Sequence, residues 1–190
     1  RRDRGETADR MDVRDRSHRK PTVGSERVEW CAAPEVGAFG DAAETVAGAI
    51  DAFVRALPLA LRCVTGSGGD VLCAHSIPGV GVMSKFDSGI LSRDLTDDDY
   101  TPRQGSAHLM VWGRGYDADQ IEDLVERWGV GLFILGHEHA EHGARLVPPN
   151  VLVLNSDHGR GVYLPIDLER PPRAEEAAAA VIPLSSVSDG

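Results

Sequence analysis

The sequence predicts an α/β fold, and three observations carry that expectation. An amphipathic stretch, Asp117–Trp128, runs directly into an apolar run, Val130–Leu135. A second helically spaced stretch is ended by Pro58 just before two short apolar runs joined by Gly66-Ser67-Gly68-Gly69. Further short apolar runs cluster toward residues 150–166. Helical and strand periods therefore follow one another along the chain, as they do in layered α/β domains.

Each element has its own justification. Ala42, Val46, Ile50, Phe53, Val54 and Leu57 recur at helical spacing over Asp41–Leu57, and Pro58 cannot continue the helix. Leu59–Val64 and Asp70–His75 read as the arms of a hairpin across the four-residue Gly/Ser turn. His108–Trp112 reads as another strand. Over Asp117–Trp128, Asp117 is placed to cap and Gln120 occupies the capping-box position. Ile121, Leu124, Val125 and Trp128 form one stripe, and Gly129 follows where a C-cap glycine belongs. Val130–Leu135, Asn150–Asn155 and Gly161–Ile166 are predicted strands. No internal repeat is present.

The two ends differ from this middle. Residues 1–27 mix Arg, Asp, Glu and Lys with almost no large apolar side chain, so they are expected to be a disordered charged segment. Residues 28–168 are expected to form the folded domain. From Glu169 the chain carries Pro171-Pro172, an alanine run and a Ser-rich end, and 169–190 is expected to be a flexible tail with little packing, apart from a short helix over Ala174–Val181.

Composition narrows the functional classes. The chain has 190 residues, 42% hydrophobic and 26% charged, enough for one domain with a real core. No apolar stretch reaches the roughly 20 residues of a membrane span, and the N-terminus lacks the apolar stretch of a secretory signal. A net charge of −10 argues against a nucleic-acid partner. Cys31, Cys63 and Cys73 are odd in number and contain no CxxC pair, which points to reduced thiols and a cytoplasmic location rather than to disulfides or a cysteine zinc site.

The densest chemical signal is Gly136-His137-Glu138-His139-Ala140-Glu141-His142-Gly143, directly after a predicted buried strand. Imidazoles suit transition metals, carboxylates suit harder ions, and the end of a strand is a rigid mount for either. Gly136 is expected to let the backbone turn sharply there. A polar surface loop rich in His and Glu is the competing reading. Cys73-Ala74-His75-Ser76-Ile77-Pro78-Gly79 again ends an apolar run with a histidine. Two strand-end histidines in one α/β chain suggest a shared site. Ser156-Asp157-His158 does not read as a hydrolytic triad, whose members come from separated positions, and no G-x-S-x-G elbow is present.

In order and spacing these segments resemble the calcineurin-like metallophosphoesterases, close to their protein serine/threonine phosphatase branch. The resemblance rests on His75 before Ser-Ile-Pro, and on His137 in a Gly-His context followed by an acidic stretch and Gly143. It also rests on Phe53–Ala60 with its Leu-Pro, on Leu109-Met110-Val111-Trp112-Gly113-Arg114, and on Val151–Leu164, and it covers roughly residues 38–168. It implies a layered β-sandwich flanked by helices, of which this chain carries the C-terminal half. It further implies two divalent transition metal ions (Mn, Fe or Zn) and hydrolysis of a phosphorylated substrate by a metal-activated water. Carried over, His75 and His137 are ligands of one ion. His139 fits the Gly-His-x-His version of the family, as a ligand of the other ion. In the protein phosphatase branch that position is usually not a ligand. Arg114 is placed to hold a phosphate oxygen or to serve only as a surface or structural residue, and His158 to line the substrate cleft.

The family's Asp-x-His, Gly-Asp-x-x-Asp and Gly-Asn-His motifs are absent: no Asp stands two residues before a His, and Asn150 and Asn155 both follow His137. The chain alone is therefore expected to be a poor catalyst or none. It is read either as part of a longer phosphatase or as a non-catalytic relative that binds metal or phosphate. The same core serves phosphoproteins, diadenosine polyphosphates and small phosphate esters, so the substrate stays open.

Overall fold

The computed structural model describes residues 40–187. The charged segment 1–27, its expected boundary and Cys31 lie outside the described residues. The chain divides into two compact units at Ala56/Leu57. The described part of the first unit is chiefly helix α1 (Ala43–Ala56), which follows a 3-10 turn at Gly40–Ala42 and is steadied by an Asp51–Arg55 pair one turn apart, 2.9 Å. It ends before Leu57-Pro58, as expected.

The second unit is built on one five-stranded mixed sheet in the order β1-β2-β3-β5-β4. Its strands are β1 (Ala60–Cys63), β2 (Asp70–Ala74), β3 (Val130–Leu135), β4 (Ala144–Val147) and β5 (Val151–Leu154). The predicted hairpin forms, with β1 antiparallel to β2 and Ala60 opposite Ala74. Strands β2, β3 and β5 run parallel, with Ala74 opposite Leu135 and Leu135 opposite Val153. Their C-terminal ends therefore finish at one edge of the sheet. This register makes His75, His137 and the 155–158 turn near neighbours.

Alternation along the strands gives the sheet two apolar faces. Leu72, Phe133, Leu135, Val151 and Val153 face helix α3 (Ala118–Trp128), packing with Ile121, Leu124 and Trp128. Each such fully buried side chain contributes about 1.5–3 kcal/mol. The ring of Trp128 lies tilted on Phe133, centroids 6.0 Å apart. Val71, Leu132 and Leu152 face the other way, onto helix α4 (Ala174–Ala179).

That second face corrects the expectation of a tail with little packing. Ala174 and Ala177 are buried, one helical turn apart, and their small side chains let α4 lie close against the sheet. Beyond it β7 (Ile182–Pro183) pairs with β6 (Val162–Tyr163) in a two-stranded sheet, so only part of the predicted strand 161–166 is strand.

His108–Trp112 is a second correction. The segment is helical, as α2 (Ser106–Val111). Apolar runs this short do not reveal their period. Here Leu109 N–H bonds back to the Gly105 carbonyl, and Ala107 and Met110 are buried three residues apart. Helix α3 is capped as expected at its start, where the Asp117 carboxylate accepts from Gln120 N–H at 2.9 Å. Gly129 closes it in the left-handed conformation at φ 63°. The capping box is only half made, because the Gln120 amide instead donates to the Pro78 carbonyl at 2.6 Å. No helix among the described residues is long and apolar enough to cross a membrane.

Candidate functional site

His75 is the first residue past β2, and His137 the second past β3. The Gly136 N–H bonds to the His75 carbonyl at 3.1 Å and so ties the two turns together. The sharp turn falls at His137 rather than at Gly136: His137 has φ 51°, a left-handed conformation that costs a non-glycine residue about 1 kcal/mol or more. A Cβ on residue 136 would meet His75 Nδ1 at 3.6 Å, an ordinary contact, so the expected role for Gly136 moves to its neighbour. Strain of this kind concentrates at functional sites.

The geometry brings three of the predicted residues together. His75 Nε2 faces His137 Nδ1 at 2.8 Å, with the rings edge to face. Arg114 Nε donates to His137 Nε2 at 3.0 Å. The exposed indole of Trp112 stands edge-on to His137, centroids 5.6 Å apart, and stacks on His108 of the helix that Trp112 caps. Burial first, then the neighbouring His75 and Arg114, hold the His137 imidazole below its usual value, with Glu138 acting in the other direction.

Arg114 arrives here because two loops touch backbone to backbone. Any Cβ on Gly113 would overlap the Ile77 carbonyl, and any on Gly79 would overlap the Arg114 carbonyl. The buried Ser76 hydroxyl donates to the Gly113 carbonyl at 2.6 Å, closing the same contact. Sequence reasoning missed Ser76, Gly79 and Gly113 as positioning residues. The available signal was a glycine directly between Trp112 and Arg114, and another just after Pro78.

His139 and His158 form a separate pair, ring centroids 5.3 Å apart. His158 is fully committed to backbone: Nε2 donates to the Ala140 carbonyl at 3.1 Å, and Nδ1 accepts from Arg160 N–H at 3.1 Å. It stitches the 136–143 loop to the turn after β5 and has no nitrogen left for a phosphate. Glu138 pairs with Arg145 on β4, and burial first, then Glu138, pushes the nearby Tyr116 phenol up to about 12. Arg160 lies 3.2 Å from His142 Nδ1 and 3.8 Å from Glu141. Among the described residues no three His, Cys, Asp or Glu side chains converge as a metal group. Cys63 and Cys73 are free and half-buried, with no cysteine partner among the described residues.

No family model matches the chain, and no curated protein and no solved structure matches it either.

Proposed function

We propose that this chain supplies part of the site of a metal-dependent phosphoric ester hydrolase of the calcineurin-like type, its five-stranded sheet being one layer of that family's sandwich. His75 and His137 would hold one divalent transition ion, Mn, Fe or Zn, and Arg114 would bind a phosphate oxygen of a phosphorylated substrate. One observation carries this reading: two histidines end neighbouring parallel strands, face each other through their ring nitrogens, and have a guanidinium beside them.

The donor set fits half a site. Two imidazole nitrogens suit these ions. Bonds of about 2.1 Å at a tetrahedral angle would set them about 3.4 Å apart, against the 2.8 Å of the present hydrogen bond. The rings must part by that difference to admit an ion. The bound ion would supply Lewis acidity and an acidified water. The chain's own contributions are a rigid mount at the sheet edge, a fork of donors on Arg114 that matches two phosphoryl oxygens, and an indole wall at Trp112. His139, which is exposed, and His158, which is bound to backbone, stand outside this arrangement.

Elemental analysis of the dialysed protein tests the reading, alongside His137→Ala and hydrolysis of p-nitrophenyl phosphate. A transition metal retained by the wild type and lost from the variant is expected. Its absence from both removes the metal reading. A second reading, a non-catalytic module that binds metal or phosphate, is favoured by the lack of a third converging ligand among the described residues. It predicts phosphate binding without turnover.

A further inference from the structure

We propose that Arg114 is a positioning residue that fixes the tautomer of His137 and thereby closes the His75–His137 pair to a cation, an inference that rests on the reading of the pair as ligands. A guanidinium has no acceptor, so His137 Nε2, 3.0 Å from Arg114 Nε, presents its lone pair. A neutral imidazole then carries its one proton on Nδ1. That proton points at His75 Nε2, 2.8 Å away, which accepts it. Donation runs one way, from Arg114 through His137 to His75.

In this state neither facing nitrogen can take an ion, since one bears the proton and the other receives it. To coordinate through Nδ1, His137 must carry its proton on Nε2, where it opposes the Arg114 N–H. A seated Arg114 and a coordinated cation are therefore alternatives, and each weakens the other by the same factor. The Arg114 backbone is held against the Gly79 loop, so the displaced guanidinium stays beside the pair. Displaced, it is free for an oxyanion, which makes cation and phosphate binding mutually reinforcing. The interaction is local and directional, unlike a screened surface charge.

Histidine-labelled full chain, examined by nitrogen NMR, reads the tautomer directly, and calorimetric titration with Zn(II) alone reads the coupling. The expected wild-type state is His137 protonated on Nδ1, with that preference lost in Arg114→Met and kept in Arg114→Lys, which retains a donor. Arg114→Met is expected to bind zinc about tenfold more tightly, the low end of the scale of one charge-assisted hydrogen bond. Inorganic phosphate should bind the wild type more tightly once zinc is present. A proton found on Nε2 in the zinc-free wild type overturns the proposal, as does equal zinc affinity in wild type and Arg114→Met. If neither protein binds zinc, the antagonism falls together with the phosphoesterase reading. The NMR arm separates the two failures, because the tautomer is read with no metal present.

Discussion

Two histidine pairs draw on the same eight-residue loop, 136–143, yet their chemistry differs. In the His75–His137 pair ring nitrogen faces ring nitrogen, and the third partner is the cationic side chain of Arg114. In the His139–His158 pair the rings only touch, and both nitrogens of His158 are spent on backbone groups. What separates a candidate ligand from a structural histidine here is the partner of its second nitrogen. Residue type and spacing, which are alike in Gly-His-Glu-His, do not decide it.

The largest expected effect is at the loop contact. Gly113→Ala forces a methyl group into the Ile77 carbonyl and is expected to cost about 4 kcal/mol, at the upper end for a single substitution. It should separate Arg114 from the first pair and leave the second intact, so loss of the His137 signature in NMR should accompany the fall in Tm. An unchanged Tm would mean that the two loops are not in backbone contact.

Next in size is the support beneath α2. Buried Asp99 takes both guanidinium nitrogens of Arg93, at 2.7 and 2.9 Å, and the Thr96 N–H and hydroxyl as well. Arg93 first, then Thr96, hold its carboxyl far below the usual carboxylate range, against the opposing effect of burial. A carboxylate lowered on folding adds stability that is fully present above its unfolded value of about 3.9. That stability is lost as pH falls through that value toward the folded one. Asp99→Asn is expected to cost about 3 kcal/mol at neutral pH, because it weakens two charge-assisted bonds to Arg93, which retains the exposed Asp87 as its ion partner. The difference from wild type should shrink below about pH 4. Urea titrations at pH 7 and pH 3 check both statements; a pH-independent difference would remove the charge from the explanation.

His158→Ala should cost about 2 kcal/mol for two backbone bonds to a half-buried ring, while zinc binding stays as in wild type. His75→Ala should do the reverse, lowering stability by less while removing zinc binding. Equal effects of the two variants on zinc would merge the two pairs into one site.

Much of the frame was legible in the residues. Asp117 and Gly129 announced both ends of α3, and the turn 66–69 announced the hairpin, because caps and turns are set by local chemistry. His75 and His137 were legible as strand-end histidines, and the parallel register of β2 and β3 turned that similarity into contact. Other features depend on what packs where. Helix α2 reads as a strand until Ala107 and Met110 are seen on one buried face, and α4, legible as a short helix, reads as unpacked until its alanines join Val71 and Leu152 in one buried cluster. The backbone commitments of His158 were hidden for the same reason, since Ala140 lies 18 residues away in the chain.

The smallest expected effect is at Gly136. Gly136 opens the shared loop and invites the reading of a glycine needed for a sharp turn. Its backbone is not left-handed, and a Cβ there would only touch His75 Nδ1 at 3.6 Å. Gly136→Ala is therefore expected to change stability by less than about 0.5 kcal/mol. Zinc affinity and the His137 tautomer should stay as in wild type. The turn itself rests on His137, whose φ of 51° is held by the Gly136–His75 bond on one side and Arg114 on the other. A loss of more than about 2 kcal/mol in Gly136→Ala would mean that the backbone must rearrange at residue 136 for the two imidazoles to face each other, and it would return the glycine to the centre of the site.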